Sequence, residues 1–350
     1  MKLIVQVPCF NEEATLAQTI ADIPRAIPGI DIVEILVIDD GSTDRTGETA
    51  LSAGADHLVR HKTNRGLAEA FRMGIDACLS QGADIIVNTD GDNQYAGRSI
   101  PELVRPILER HADVVIGDRQ VANNPHFAWT KKRLQALGSA VVRRLSGTTV
   151  PDAVSGFRAI SRGAALQLNI VSPFSYTIEM LIQVGKQRMA LASVPVETNP
   201  VTRHSRLFSN VPQFILHSLA TMLRIYTMYN PLRMFSYVGV LLAVVGLAPI
   251  LRFLYFYFSG DGAGHIQSLV LGGAFLMMGF VAVLVGVVAD LINFNRRLVE
   301  LTLQKVRDLE LGTQRRLMLN DIGTETQPAP RRTPPSPCNA AVPSQHARGR

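Results

Sequence analysis

Cysteine is scarce: Cys9, Cys78 and Cys338 are the three in 350 residues, at spacings that fit neither a zinc site nor a disulfide framework. They read as reduced thiols, which suits a soluble part facing the cytoplasm. Charge is also sparse, 18% of residues, and the net +6 is not gathered into a stripe on one folded element, so nucleic acid is not the expected partner. Much of the positive charge flanks apolar runs or lies in the tail, where a membrane surface is the natural anionic neighbour. The opening "MKLIVQVPCFNEE" lacks a signal-peptide pattern, because its apolar run is short and ends in acids; it is expected to form a first strand. The turn that follows holds Pro8, Phe10 and Asn11 where a dinucleotide site needs G-x-G-x-x-G. A calcium loop is missing too. In "NTDGDNQYAG", counting from Asp90, Tyr95 stands where such a loop needs glycine and Pro101 where it needs a bidentate glutamate.

From Lys2 to about Ile116, short β-branched runs alternate with helical patterns: "KLIVQVP", "EEATLAQTIADI", "EILVIDD", "DRTGETALSAG", "HLVRH", "LAEAFRMGIDACL", "ADIIVNTD" and "ADVVIGDR". This succession predicts an α/β fold, a mostly parallel sheet covered by helices on both faces, with ligands bound outside the carboxyl ends of the strands. The polar clusters "PCFNEE", "DDGSTDRT" and "DGDNQ" fall at those ends. Turns and N-caps use the same residue types, so each cluster alone has a structural reading. Beyond Ile116 the sheet signal fades into an irregular region.

Two apolar stretches, about 235–258 and 269–294, are each long enough to cross the roughly 30 Å hydrocarbon layer. Their short connection "SGDGAGHI" has no Lys or Arg, whereas Arg224, Arg233, Arg296 and Arg297 flank the outer ends. That asymmetry predicts a hairpin with both termini and the α/β domain in the cytoplasm, at an inner or plasma membrane. The expected organisation is a catalytic domain over 1–208, a juxtamembrane amphipathic helix over 209–232, two spans within 233–297, a charged segment over 298–322 and a Pro-rich disordered tail over 323–350. A homo-oligomer is compatible with such a hairpin.

Acidic strand ends on a cytoplasmic domain tied to a membrane suggest a nucleotide diphosphate sugar held through a divalent ion and a lipid phosphate as acceptor. On "PCFNEE", "IDDGSTDRT", "NRGLAEAFRMG", "DGDNQ", "DAVSGFR" and the two C-terminal spans, the chain resembles the family 2 glycosyltransferases of GT-A fold. Within them it is most similar to the polyprenol-phosphate sugar synthases of the dolichol-phosphate mannose synthase type. The likeness runs from the N-terminus to about Phe294.

The resemblance implies roles at the matching positions. Pro8, Phe10, Glu12 and Asp39 would line the nucleoside pocket, Asp39 accepting from the base, while Asp40 would cap the loop at "GSTD". Asp92 and Gln94 would ligate Mg2+ or Mn2+, with Asp90 beside them nearer the ribose or sugar. Arg119 and Arg133 would hold the acceptor phosphate, although Leu137 stands where the family often has serine. Asp152 would face the acceptor, with Ser155 and Arg158 shaping the loop beside it, and Glu179 reads as structural. Arg203 and Arg206, in "TRHSRLF", would compensate the donor diphosphate, in a loop that lacks the glycine of the common R-x-x-G-x-S-K pattern. Asp152, Asp92 and Arg119 are thus the catalytic candidates.

The implied reaction is inverting, metal-dependent transfer of a hexose from GDP-mannose or UDP-glucose to a polyprenyl phosphate. Transfer to a lipid or saccharide hydroxyl is the alternative, and a non-catalytic nucleotide-sugar-binding scaffold is the reading from another class. Processive synthases of the family carry Q-x-x-R-W, whereas the single tryptophan here is Trp129 in "HFAWTKK".

Overall fold

The computed structural model describes residues 1–120, 139–140, 142–143, 146–170, 176–199, 220, 223–224, 226–260 and 263–325. Arg133, Leu137, Arg203, Arg206 and most of the stretch 209–232 lie outside the described residues.

The chain alternates as its apolar periodicity requires: β1 (Lys2–Cys9), α1 (Leu16–Asp22), β2 (Ile32–Asp39), α2 (Thr46–Ser52), β3 (His57–Arg60), α3 (Leu67–Ser80), β4 (Ile85–Asn88), α4 (Ile100–Leu108) and β5 (Val114–Asp118). Then come β6 (Arg158–Ser161), α5 (Arg162–Gln167), α6 (Tyr176–Gln187) and β7 (Leu191–Pro195). One seven-stranded sheet has the order β3-β2-β1-β4-β6-β5-β7. It is parallel except for β6, which runs antiparallel to β4 and β5. β6 and β7 lie in the region read from sequence as irregular. They are four and five residues long, as β4 and β5 are, but unlike those neither is marked by an unbroken run of β-branched residues.

Both faces of the sheet are covered, so β1 is apolar on both. Leu3, Val5 and Val7 meet Leu16 and Ile20 of α1 and Leu103 and Val104 of α4. Ile4 turns to the opposite layer with Phe71 and Ile75 of α3 and Leu181 of α6. Full burial stabilises each such side chain by about 1.5–3 kcal/mol. After β1 the chain builds β2 and β3 on one side, then returns to place β4 on the other. The carboxyl ends of β1 and β4 therefore form a topological switch point, where the crevice for a ligand opens. Pairing of β1 with β4 stops at Gln6 and Asn88, so Pro8 lies beyond the ladder on that side.

Among the described residues two helices hold an apolar stretch long enough to cross a membrane: α7 (Pro231–Phe258) and, within its first 42 residues, α8 (Ile266–Glu325). They approach backbone to backbone at glycines. A Cβ on Gly239 would lie 2.7 Å from Gly279 O, and one on Gly246 2.8 Å from Gly272 O. This close approach supplies the van der Waals contact that drives helix association in lipid. The charged piece 298–322 is helical, within the bounds of α8. Past the apolar run, Arg307 at the end of those 42 residues reaches the α/β domain: Nη2 lies 3.4 Å from Asp76 Oδ1 on α3, and Nη1 donates to Leu168 O at 3.4 Å.

Candidate active site

The loops after β1 and β2 are tied to each other. The Asn11 N–H donates to Ser42 Oγ (2.9 Å), Thr43 N–H to Asn11 Oδ1 (2.9 Å) and Glu12 N–H to Thr46 Oγ1 (2.8 Å). This fixes Pro8, Phe10 and Glu12 beside Asp39. Phe10 is exposed, as a residue offering a ring face to a ligand must be. The buried Asp39 accepts the Ser42 N–H (2.8 Å) and lies 2.9 Å from Arg60 Nε. Asp40 departs from its expected role. It accepts from Arg65 N–H (2.9 Å) and Gly66 N–H (2.8 Å) and meets His61 Nδ1 (2.7 Å), so it holds the loop leading into α3, and Asp39 caps "GSTD".

At the end of β4, the turn carrying Asp90 and Asp92 is pinned by Thr15 and Thr19 of the α1 region, whose hydroxyls donate to Gly91 O at 2.9 and 3.2 Å. Glycine is required between the two acids because a Cβ there would lie 2.6 Å from Cys9 Sγ. Asp92 Oδ1 accepts the Gln94 N–H (3.0 Å), which brings the two expected ligands into one turn. Burial, then the charge of Asp92, push Asp90 up to about 7, with Glu12 adding to the rise and Arg119 opposing it. Among the described residues no three His, Cys, Asp or Glu side chains are grouped to hold an ion by themselves. Two crowded carboxylates in a rigid turn are of the chemistry that fits a hard divalent cation.

Opposite this turn, Arg119 at the end of β5 grips Asp152 in a two-pronged ion pair: Nε to Oδ2 at 2.7 Å and Nη2 to Oδ1 at 3.0 Å. Burial works against the charge on Arg119, but Tyr95 and the Asp152 carboxylate outweigh it and raise its pKa. Ser155 and Arg158 do not fit the expected contact with an acceptor. Both are fully buried, and Arg158 donates to the carbonyls of Ser155 (2.8 Å), Ala153 (3.0 Å) and Thr177 (3.0 Å). Its charge serves to shape the 152–158 loop from inside. Glu179 is fully buried in α6 with Gln183 Nε2 3.5 Å away. Sequence reasoning passed over Asn88 and His61, and used Tyr95 only to exclude calcium. Each is buried and makes non-local hydrogen bonds, which no spacing rule announces.

Residues 4–168 match the family model for glycosyl transferase family 2. A dolichyl-phosphate hexose transferase of Haloferax volcanii is 31% identical over 198 residues, 55% of this chain and 81% of that protein. The chain belongs to glycosyl transferase family 2. It is therefore a glycosyltransferase, and the sheet just described is its GT-A fold. Another relative, an undecaprenyl-phosphate mannosyltransferase of Micrococcus luteus, is 27% identical over 206 residues, covering 56% of this chain and 83% of that one. Among solved structures, glucosyl-3-phosphoglycerate synthase from Mycobacterium tuberculosis, with Mn2+, UDP-glucose and phosphoglyceric acid, superposes with TM-score 0.50 at 24% identity. That likeness covers 64% of this chain and 79% of that one, and it concerns the fold. Family membership explains why the acids at the ends of β2 and β4 face one crevice.

Proposed function

We propose that this family 2 enzyme transfers a hexose, mannose or glucose, from a nucleotide diphosphate sugar to a polyprenyl phosphate at the cytoplasmic membrane face, with inversion at the anomeric carbon. The observation that carries the reading is the meeting, at one end of one sheet, of the Asp90–Asp92 turn and the Arg119–Asp152 pair, in a chain with two membrane-length helices. Pro8, Phe10, Glu12 and Asp39 take the nucleoside, and Asp90 lies toward the sugar. Asp92 and Gln94 would hold Mg2+ or Mn2+, which when bound neutralises charge on the departing diphosphate. Arg203 and Arg206 add positive charge there in the same reading.

The acceptor oxygen attacks the anomeric carbon from the face opposite the diphosphate, and the bond to the diphosphate oxygen breaks. A guanidinium has five N–H donors, and Asp152 takes two of Arg119's. The remainder, with Arg133, are assigned to the acceptor phosphate, two of whose oxygens match the planar fork of a guanidinium better than an ammonium. Both Asp152 oxygens are engaged by Arg119, which supports an acceptor that arrives already ionised over a hydroxyl that must lose a proton. A phosphate monoester, with a second pKa of about 6, is such an acceptor.

The test is an assay of the full chain in detergent with undecaprenyl or dolichyl phosphate, Mg2+ or Mn2+, and radiolabelled GDP-mannose and UDP-glucose. Label entering the organic phase as an acid-labile lipid is expected. Binding of a nucleotide sugar without any transfer to lipid phosphate would overturn the acceptor and return attention to hydroxyls.

A further inference from the structure

The stretch Asn88 to Tyr95 does more than present two acids. It also grips one residue of the opposite loop at every atom that residue offers. Asn88 Nδ2, two residues before Asp90, donates to Gly156 O at 2.8 Å. The Gly156 N–H donates to Tyr95 Oη, three residues after Asp92, at 3.0 Å. Where Gly156 would carry a Cβ, the Asp90 carboxylate oxygens lie 3.0 and 3.1 Å away and Tyr176 Oη 3.1 Å.

The grip is itself braced. Gln6 Nε2 donates to Asn88 Oδ1 at 2.9 Å, which leaves the amide's Nδ2 to point at Gly156. The Tyr95 ring stacks on Phe157, with centroids 5.1 Å apart. Asn88, Ser155 and Phe157 are fully buried and Tyr95 nearly so, which keeps water from replacing a lost partner. Gly156 closes the loop that begins at Asp152, the partner of Arg119.

We propose that Asn88 and Tyr95 are positioning residues for glycosyl transfer: by clamping Gly156 they set where the Asp152–Arg119 pair stands relative to Asp90 and Asp92. This rests on the functional reading above for its kinetic consequence, though not for the clamp itself. Donor carboxylates and acceptor pair belong to segments some 60 residues apart in sequence, and a transfer reaction needs its two substrates held in one geometry. The β4–β6 ladder joins the two segments as far as Asn88 and Arg158, and the clamp carries that link on into the loops that bear the acids.

Two variants test it in the full chain. Tyr95→Phe keeps the ring and removes only Oη, and Asn88→Ser removes the Nδ2 donor. Amide exchange of residues 152–157, followed by mass spectrometry, should quicken by about tenfold in each. In the lipid-phosphate assay kcat should fall by about tenfold or more while the KM for the nucleotide sugar moves by less than about twofold. A purely structural role would instead raise donor KM in step with the loss of kcat, and that outcome overturns the proposal. So does exchange that is unchanged in both variants. If the unaltered protein transfers no sugar to any polyprenyl phosphate, the functional reading fails, and the exchange measurement still decides whether the clamp exists.

Discussion

Strands β2 and β4 both end in a pair of acids, and the two pairs live in different surroundings. Around Asp39 and Asp40, five groups of the protein's own donate or ion-pair at close range: the N–H groups of Ser42, Arg65 and Gly66, the His61 ring and the Arg60 guanidinium. Around Asp90 and Asp92, the Gln94 N–H is held, and burial, with the charge of Asp92 second, pushes Asp90 up to about 7. Within the first pair Asp40 is satisfied by protein and shapes a loop, while Asp39 caps its own turn and in the proposed reading also faces the nucleoside. The second is a crowded pair of acids, whose charge a bound cation would offset in the proposed reading. Residue type alone does not separate a structural acid from a ligand-binding one; the donors around it do.

Substitutions at the two ends should break differently. The largest effect is expected for Asp92→Asn, which should lower transfer by about a hundredfold or more. Its thermal unfolding should match the unaltered protein, and adding a chelator to the latter should reproduce the loss. A variant that keeps its activity would remove the distinction between the pairs. Asp40→Ala should act on stability instead, costing about 1–3 kcal/mol in urea unfolding, because two partly buried N–H groups and the buried His61 lose a charged partner.

Arg119→Lys keeps the charge but not the fork that meets both Asp152 oxygens. The acceptor KM should rise by about tenfold while donor KM is unchanged, read in the same lipid assay. The smallest effect concerns Asp56, a carboxylate remote from the crevice. Partial burial raises its pKa, but the Ile35 N–H and Arg25 outweigh this and hold it below the usual carboxylate range. A depressed carboxyl contributes stability that is present above its unfolded pKa of about 3.9 and lost as pH falls through the folded value. The stability gap between the unaltered protein and Asp56→Asn, followed by denaturant titration, should therefore be open at pH 7 and close below about pH 4.

The parallel half of the fold was legible because β1, β2, β4 and β5 are apolar on both faces and end in polar clusters. β6 and β7 were not, having no unbroken β-branched run and being placed by pairing with distant strands. At the site, the acids and Arg119 were readable from residue type and position at strand ends. Which of Asp39 and Asp40 caps which loop was not, since the two are neighbours with equal chemistry and the answer lies in loops up to 26 residues away. Arg158 misled because a charged residue in a polar loop reads as exposed, whereas its guanidinium is buried against carbonyls. Gly156 and Tyr95 escaped notice because their contact spans 61 residues.

The unbroken run of α8 into the Asp76 contact has a mechanical consequence. A helix rises about 1.5 Å per residue, so the stretch from Arg297 to Arg307 works as a strut of roughly 15 Å between the end of the apolar span and the catalytic domain. On the proposed topology, a domain held at a set height does not tumble freely above the bilayer. Its encounter with a lipid-borne acceptor becomes a search across a surface rather than through a volume.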